Sequence, residues 1–512
     1  MTQGYVTDTN YTDNFFQELS PVWLNYVAAL MGAVPRRLDV PFTYLELGCG
    51  FGSSTVVNAG ALPHGDFHAC DFNPAHIEGG QRRAAALGIG NVHFHLASFD
   101  QLLSLDLPSF DFIALHGVYS WVGTEARRAI RAVIRKTLKA GGLVYVSYNC
   151  LPGWSTEAPL RKLLVELSAT AGGGSAQRTH QALRTLQQLS RSKLRYFNAN
   201  PSAVEAIDAY AKRPSGYLAH EFLNETWEPF YSIDVADEML EAEVHYLGSA
   251  TLPENHPTLA IGTMAAAEIT RLPTERQRQL AVDFAMNQRF RRDVFVRGRP
   301  TRNQAEISRH LDATVIGSLS RPERMPTQIK VPRGEVRFQE DFVADLRPIM
   351  SRGSTTIGEA VSTLGGGKRD ATEIARNLLF LVAAGTLTPF AQVHHSNGTV
   401  KPRRLAKGIV ERALAPALDR RERRVIPSEV LGNGVVIQPV EALAVSEWVD
   451  GADGVEDLAT RLEAGINRMR LKIPNEGTDT GPAKTVAEYA RTEASNAVED
   501  LLPTFTRLGL LV

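Results

Sequence analysis

The chain has 512 residues, 44% of them hydrophobic and 22% charged, with a formal net charge of −1. That length exceeds one core and implies two to four domains, and the near-neutral balance removes any global pull toward nucleic acid or an anionic membrane. Three cysteines, Cys49, Cys70 and Cys150, are too few for a disulfide framework and show no metal-ligand spacing, so no metal is expected.

Residues 1–40 carry Tyr5, Tyr11, Phe15, Phe16, Trp23 and Tyr26 on a polar background, with helical spacing from Asp13 to Met31. No basic region precedes an apolar core here, and no apolar run approaches the roughly 20 residues of a membrane helix. A cytoplasmic protein is expected. The segment reads either as an amphipathic helix packed on the next domain or as a lid. In the second reading Tyr5 or Tyr11 covers a bound cation, because aromatic faces attract positive charge.

Residues 42–150 alternate short apolar runs with helical stretches, the pattern of an α/β fold with a Rossmann-like, doubly wound parallel sheet. Strands are expected at 42–47, 66–71, 92–98, 110–116 and 142–149, and helices near 53–60, 74–87 and 124–139, the last stopping at Gly141-Gly142.

Phe42 to Gly52 reads as a buried strand entering a glycine turn with Gly48, Gly50 and Gly52 in G-x-G-x-G spacing, and Ser53 or Ser54 could cap the helix that follows. This is not the dinucleotide spacing, and Glu46 at the strand end would repel a pyrophosphate. A carboxylate there suits a cationic ligand without phosphate, such as S-adenosylmethionine. Asp71, followed by Phe72, ends the second strand, where a carboxylate can accept both hydroxyls of a ribose. Ser98 and Phe99 end the third strand. There a polar group can bond an adenine amine while a ring packs on its face, or the pair is a plain turn. Asp111 opens the fourth strand and reads as structural. His116-Gly-Val-Tyr-Ser-Trp-Val122 and Tyr148-Asn-Cys-Leu-Pro-Gly-Trp154 follow the fourth and fifth strands, two aromatic-rich loops on one sheet edge.

The ordered series ELGCGFG, CDFNP, HGVYSWV and YNCLPGW resembles class I S-adenosylmethionine-dependent methyltransferases. With the aromatic N-terminus it is similar to bacterial members with an attached methyltransferase regulatory domain, a group that includes the rickettsial outer-membrane-protein lysine methyltransferases. The resemblance is specific over the first 155 residues and diffuse beyond about 300. It implies S-adenosylmethionine as cofactor, held by Glu46, Gly48, Gly50, Gly52, Asp71, Phe72, Ser98, Phe99 and His116, with Tyr5 and Tyr11 from the lid.

Residues 156–300 read as a helical insert and regulatory region. It is interrupted by Gly172-Gly173-Gly174-Ser175 and includes a helix near 233–243 and a strand near 244–251 that close the sheet. His220 and Glu221 of the insert either reach the pocket or form a structural hydrogen bond. The run Arg289, Arg291, Arg292, Arg297, Arg299 and Arg302 reads as a solvated, salt-bridged face rather than a nucleic-acid surface, since no stacking aromatics accompany a basic domain. Residues 301–400 and 401–512 resemble two winged-helix-like α+β domains, because Asp345 to Phe390 and Glu441 to Val512 repeat an order of helix, glycine, helix and helix. Their second helices carry Glu359, Glu456 and Asp457, which argues for protein contacts rather than DNA.

Methyl transfer to a protein side chain, lysine above all, is the expected activity, with Tyr119, Ser120, Tyr148 and Asn149 as candidates to orient the amine; an oxygen nucleophile would instead call for an essential His or Asp, with His116 the nearest candidate. The alternative is a small-molecule O- or N-methyltransferase whose C-terminal domains serve assembly, and a third is a cofactor-sensing interaction protein. A protein substrate is the expected partner, and a homodimer is left open. Truncation near residue 300 is expected to spare cofactor binding.

Overall fold

The computed structural model describes residues 14–301, 303–366, 369–395, 402–406, 408–420, 423–471, 473 and 485–512. Tyr5, Tyr11 and Arg302, and residues 474–484 of the second C-terminal stretch, lie outside these. No helix among the described residues is long and apolar enough to cross a membrane.

Seven strands form the central sheet: β1 (Phe42–Leu47), β2 (Gly65–Asp71), β3 (Val92–Leu96), β4 (Phe110–Leu115), β5 (Leu138–Asn149), β6 (Val244–Ser249) and β7 (Phe290–Arg297). Their order is β3-β2-β1-β4-β5-β7-β6, with β7 antiparallel to both its neighbours and the remaining pairs parallel. The direction of winding reverses between β1 and β4, which opens a crevice at the carboxyl ends of those strands. Helices α1 (Pro21–Met31), α2 (Ser53–Ala61), α3 (Pro74–Leu87), α4 (Phe99–Leu102) and α5 (Thr124–Thr137) precede or connect the parallel strands.

The expected helix stop at Gly141-Gly142 falls inside β5 instead. Helix α5 already ends at Thr137, and Gly141, at φ +69°, lies beside a register shift in the β4–β5 pairing. Neither Ser53 nor Ser54 caps α2. Gly52 is the N-cap, and the Ser54 hydroxyl accepts the Phe16 N–H at 3.0 Å.

After β5 the chain leaves the sheet for five helices, α6 (Ala158–Ala169), α7 (Ser175–Ser190), α8 (Arg195–Ala199), α9 (Pro201–Tyr210) and α10 (Ser215–Phe222), which share a core around Leu164, Leu186, Ile207 and Phe222. It returns through α11 (Ser232–Leu240) to β6, then through three further helices to β7.

The arginine run is salt-bridged as expected, and Arg299 is exposed, but strand β7 corrects the expected solvation for Arg291 and Arg297. Its sequence, Phe-Arg-Arg-Asp-Val-Phe-Val-Arg, runs three charged residues into three apolar ones, and the strand lies inside the sheet between β5 and β6. Arg291 is buried, with its side chain 4% exposed. It ion-pairs with Asp283 at 2.5 Å and Asp293 at 2.9 Å, and its guanidinium also donates to the Tyr246 hydroxyl at 3.1 Å. Tyr148 and Ser232 donate to the same two carboxylates at 2.5 Å. Arg297 donates to the carbonyls of Leu138, Arg135 and Ala242 at 2.6, 2.9 and 3.1 Å, fastening the ends of three elements. These arginines are internal struts.

The chain beyond 300 is α+β throughout. A three-stranded antiparallel sheet, Thr355–Thr356, Val315–Gly317 and Thr388–Phe390, goes with helices Glu340–Ser351, Ile357–Gly365 and Ala371–Ala383. The hairpin Arg424–Ser428/Asn433–Ile437 follows, then helices Pro439–Val449, Gly454–Met469 and Val486–Asn496. Neither part stands apart from the sheet. Tyr44, Phe67 and Tyr145 share one continuous core with Val27 of α1 and with Leu346 and Leu381, while Val56 of α2 and Leu87 of α3 pack with Val410, Ile426 and Phe505. Cutting the chain near 300 would bare both surfaces, so the C-terminal half is not the separable module expected.

Arg291→Met should lower stability by about 3–5 kcal/mol, because it strands two buried carboxylates. Arg271→Ala, in an exposed pair with Glu268, should change it by less than about 1 kcal/mol. Chemical denaturation of the two variants checks the contrast.

Candidate functional site

A cleft opens at the crevice, with about 1100 Å³ of empty space that is partly open to solvent. Glu46, Gly48, Cys49, Gly50 and Phe51 line it from the first loop and Asp71, Phe72 and His76 from the second. Ala97, Ser98 and Phe99 come from the third, and His116, Gly117, Val118, Trp121 and Val122 from the fourth. Asn14 and Phe16 close one side. No lysine or arginine is among the described lining residues.

The glycine turn has a steric reason. Gly48 sits at φ +70°, and a Cβ there would come within 2.6 Å of Val118. At Gly50, φ +55°, a Cβ would meet nothing within 4 Å, so the missing side chain leaves open room in the cleft, and the Gly50 N–H donates to Asp71 at 2.9 Å. Gly52 is not among the lining residues; it turns the chain into α2, with Phe94 against the place of its missing Cβ.

Asp71 is buried at the end of β2. Its Oδ1 accepts the Asn73 N–H at 2.9 Å and meets His76 Nδ1 at 3.2 Å, so it is locked in one orientation. His76, in the first turn of α3 with Phe51 against its ring, escaped the sequence reading. Its one signal there was its position just after Asn73-Pro74, where a helix must start beside Asp71.

Glu46 is also buried, and the Thr55 hydroxyl of α2 donates to it. Burial pushes its carboxyl up to about 7, with the Asp71 charge adding to the rise and the Thr55 hydrogen bond opposing it. Thr55 was likewise not foreseen.

His116 stands where β4 ends. Its Nδ1 meets the Tyr145 hydroxyl at 2.8 Å, Phe16 stacks on it at 3.7 Å between centroids, and Phe290 meets it edge-on at 6.0 Å. Burial, and then the Arg292 charge, push its pKa down to about 3, so the ring is neutral near pH 7. Arg292 is itself paired with Glu18 at 3.0 Å. Ser98 lines the cleft and is the N-cap of α4, with its N–H donating to Gln101 at 2.9 Å.

The structure does not bring Tyr119, Ser120, Tyr148 or Asn149 into the cleft. The Tyr119 hydroxyl donates to Glu238 of α11 at 2.5 Å and accepts from Arg131 at 3.2 Å, while that of Tyr148 serves Asp293. Ser120 accepts the Asn149 N–H at 2.9 Å, and the Asn149 side chain lies toward Glu221 of α10. Glu221 and the buried His220 are also absent from the lining. The loop 148–154, expected as pocket floor, joins the insert to the sheet. Trp154 packs on Trp227 and Phe222, with the Arg289 guanidinium 3.8 Å from its ring centre. Ring-rich composition could not separate a joint from a pocket.

A family model described as a methyltransferase domain matches residues 45–144, and one described as a predicted methyltransferase regulatory domain matches residues 214–297. The second span contains β6 and β7, so that region completes the central sheet. An uncharacterized protein of Synechocystis is 32% identical over 99% of both chains. One of Rickettsia prowazekii is 27% identical over 60% of this chain and 56% of its own. The structure of PKMT2 from Rickettsia typhi in complex with AdoHcy superposes with a TM-score of 0.72 at 20% identity, covering 98% of this chain and 100% of that one. At that identity the likeness is one of fold.

Tyr119→Phe and Tyr148→Phe should each cost about 1.5–3 kcal/mol of stability, as hydrogen bonds to charged groups do. Ligand affinity at the cleft should be unchanged once folding is accounted for. Denaturation paired with binding calorimetry checks this, and a selective loss of binding would return these residues to the site.

Proposed function

We propose that protein lysine side chains are the acceptors for this chain, which belongs to the family of methyltransferases that carry a methyltransferase regulatory domain. It is an S-adenosylmethionine-dependent methyltransferase. The cleft fits that cofactor: two carboxylates and no cationic side chain among its described lining residues suit a ligand with an amino group and a sulfonium, and disfavour a phosphate. In this reading Asp71 holds the ribose hydroxyls, Glu46 faces the cationic end, Gly48 and Gly50 admit close backbone approach, and Phe72, Ser98 and Phe99 border the adenine. When bound, the cofactor supplies an electrophilic methyl group.

The observation that carries an amine acceptor is the state of His116. It is the candidate base for an oxygen nucleophile, yet its Nδ1 is taken by the Tyr145 hydroxyl, Phe16 is stacked on its ring, and burial disfavours its protonation. A lysine needs no such base once desolvation and a neighbouring cation have lowered its own pKa. Phe16, Trp121 and His116 then act as walls that exclude water and align the amine. A macromolecular acceptor is supported by the chain's size, since five insert helices and the α+β stretches beyond 300 exceed what a small substrate requires.

Labelled S-adenosylmethionine, incubated with the full chain and either cell proteins or a metabolite extract, should mark proteins and yield N-methyl-lysine on hydrolysis; label confined to small molecules would contradict the proposal. Asp71→Ala should weaken cofactor binding at least ~100-fold, as expected for two charge-assisted hydrogen bonds of about 1.5–3 kcal/mol each. Unchanged affinity in calorimetry would remove Asp71 from the site.

Glu46 sets a pH dependence. Its folded pKa of about 7 lies above the ordinary 4.5, so the free fold holds this proton more tightly than the unfolded chain. The stability from this group is therefore full below 4.5 and is lost as pH rises through 7. Affinity for a cationic ligand runs the other way, falling by up to about tenfold per unit as pH drops below 7. In Glu46→Gln, binding should be weaker and flat with pH.

A further inference from the structure

On one face of β2 and β3 at the edge of the sheet, outside the cleft lining, four side chains converge. Asp66 and His68 alternate along β2, and His93 and His95 along β3. The parallel register sets His68 beside His93 and Cys70 beside His95, so a period of two puts all four side chains on one face of the sheet. His93 Nε2 lies 3.0 Å from one Asp66 oxygen and His68 Nε2 3.4 Å from the other. The His68 Nδ1 meets His95 Nε2 at 2.9 Å, with the two rings within 6° of parallel.

We propose that Asp66, His68 and His93 bind a divalent transition-metal ion of the zinc class, with His95 as the positioning residue behind His68. Ligand atoms of the three all lie within 4.8 Å of one another. A tetrahedral zinc with bonds near 2.0–2.1 Å needs donors about 3.3 Å apart, so small side-chain shifts complete the set. Two imidazoles and one carboxylate select zinc, nickel or copper over magnesium or calcium, which prefer all-oxygen shells.

The contact with His95 matters because a metal-binding imidazole usually engages its second nitrogen with a neighbour, which fixes its tautomer and aims the first. Here Nδ1 of His68 is engaged and Nε2 faces Asp66 and His93. His68 is buried, whereas the side chains of Asp66 and His93 are 48% and 55% exposed, so an ion can enter and water can take the fourth position. β3 ends the sheet order, and an ion held between it and β2 would staple that edge. None of the four residues lines the cleft, and the three residues from His68, the ligand nearest the cleft along β2, to Asp71 span about 10 Å of strand.

The test uses the full chain, stripped with a chelator and titrated with zinc chloride by calorimetry, with metal content measured after dialysis. One zinc per chain is expected. His93→Ala should bind at least ~100-fold more weakly and His95→Gln about tenfold more weakly, in line with the loss of a ligand and of an outer contact. Affinity for S-adenosylmethionine should be unchanged in both, which separates this site from the cofactor cleft. If His93→Ala proves unfolded by circular dichroism, Asp66→Asn takes its place with the same expected loss. Absence of stoichiometric zinc, or equal binding by wild type and the ligand variant, would overturn the site.

Discussion

Two buried carboxylates stand at the carboxyl ends of adjacent parallel strands, Glu46 on β1 and Asp71 on β2, and no lysine or arginine among the described lining residues balances them. Burying like charges is costly unless each is compensated. Asp71 is compensated by two backbone N–H groups and His76, and Glu46 by the Thr55 hydroxyl together with a raised pKa. The residual negative potential is what makes the cleft a receptor for a cation. The glycine turn between the two carboxylates gives that cation room.

The rest of the molecule holds this arrangement in place. α2, which carries Thr55, is packed from outside by the hairpin at 424–437, and Ser20 and Asn433 tie the N-terminal segment to that hairpin through the Gly432 and Gln17 carbonyls at 2.7 and 3.1 Å. The same segment sets Phe16 on His116. On the far side, Arg291 ties β7 to Asp283 of the preceding helix, Tyr148 of β5 donates to Asp293 of β7, and Arg289 fixes the insert through Glu157, Trp154 and Tyr210.

That Glu46, Asp71, Ser98 and His116 would meet in one cleft was legible in the sequence because each lies at or just beyond the end of a different strand, and parallel topology sends all four strand ends to one edge. The acceptor half was not legible. Tyr119, Tyr148 and Asn149 have the right chemistry in the right loops, but their partners, Glu238, Asp293 and Glu221, lie about 70 to 150 residues away, and only the fold shows which way each side chain turns. β7 was hidden for a related reason. Arginine on a strand reads as solvent-facing until Asp283 and Asp293 are seen to neutralise it. The His/Asp cluster on β2 and β3 escaped because each strand carries only one i, i+2 pair, and the two pairs, 27 residues apart, meet only through the parallel register.

The account rests on the cleft between β1 and β4 being where the cofactor binds, with its sulfur turned toward the β4 loop. The most direct measurement is a crystal structure of the full chain with S-adenosylhomocysteine. The ribose hydroxyls are predicted to lie within hydrogen-bond distance of the Asp71 carboxylate, the glycine turn at Gly48 and Gly50 to be in van der Waals contact, and the sulfur to face His116. A ligand bound elsewhere, or one in this cleft with Asp71 out of contact with the ribose, would contradict it.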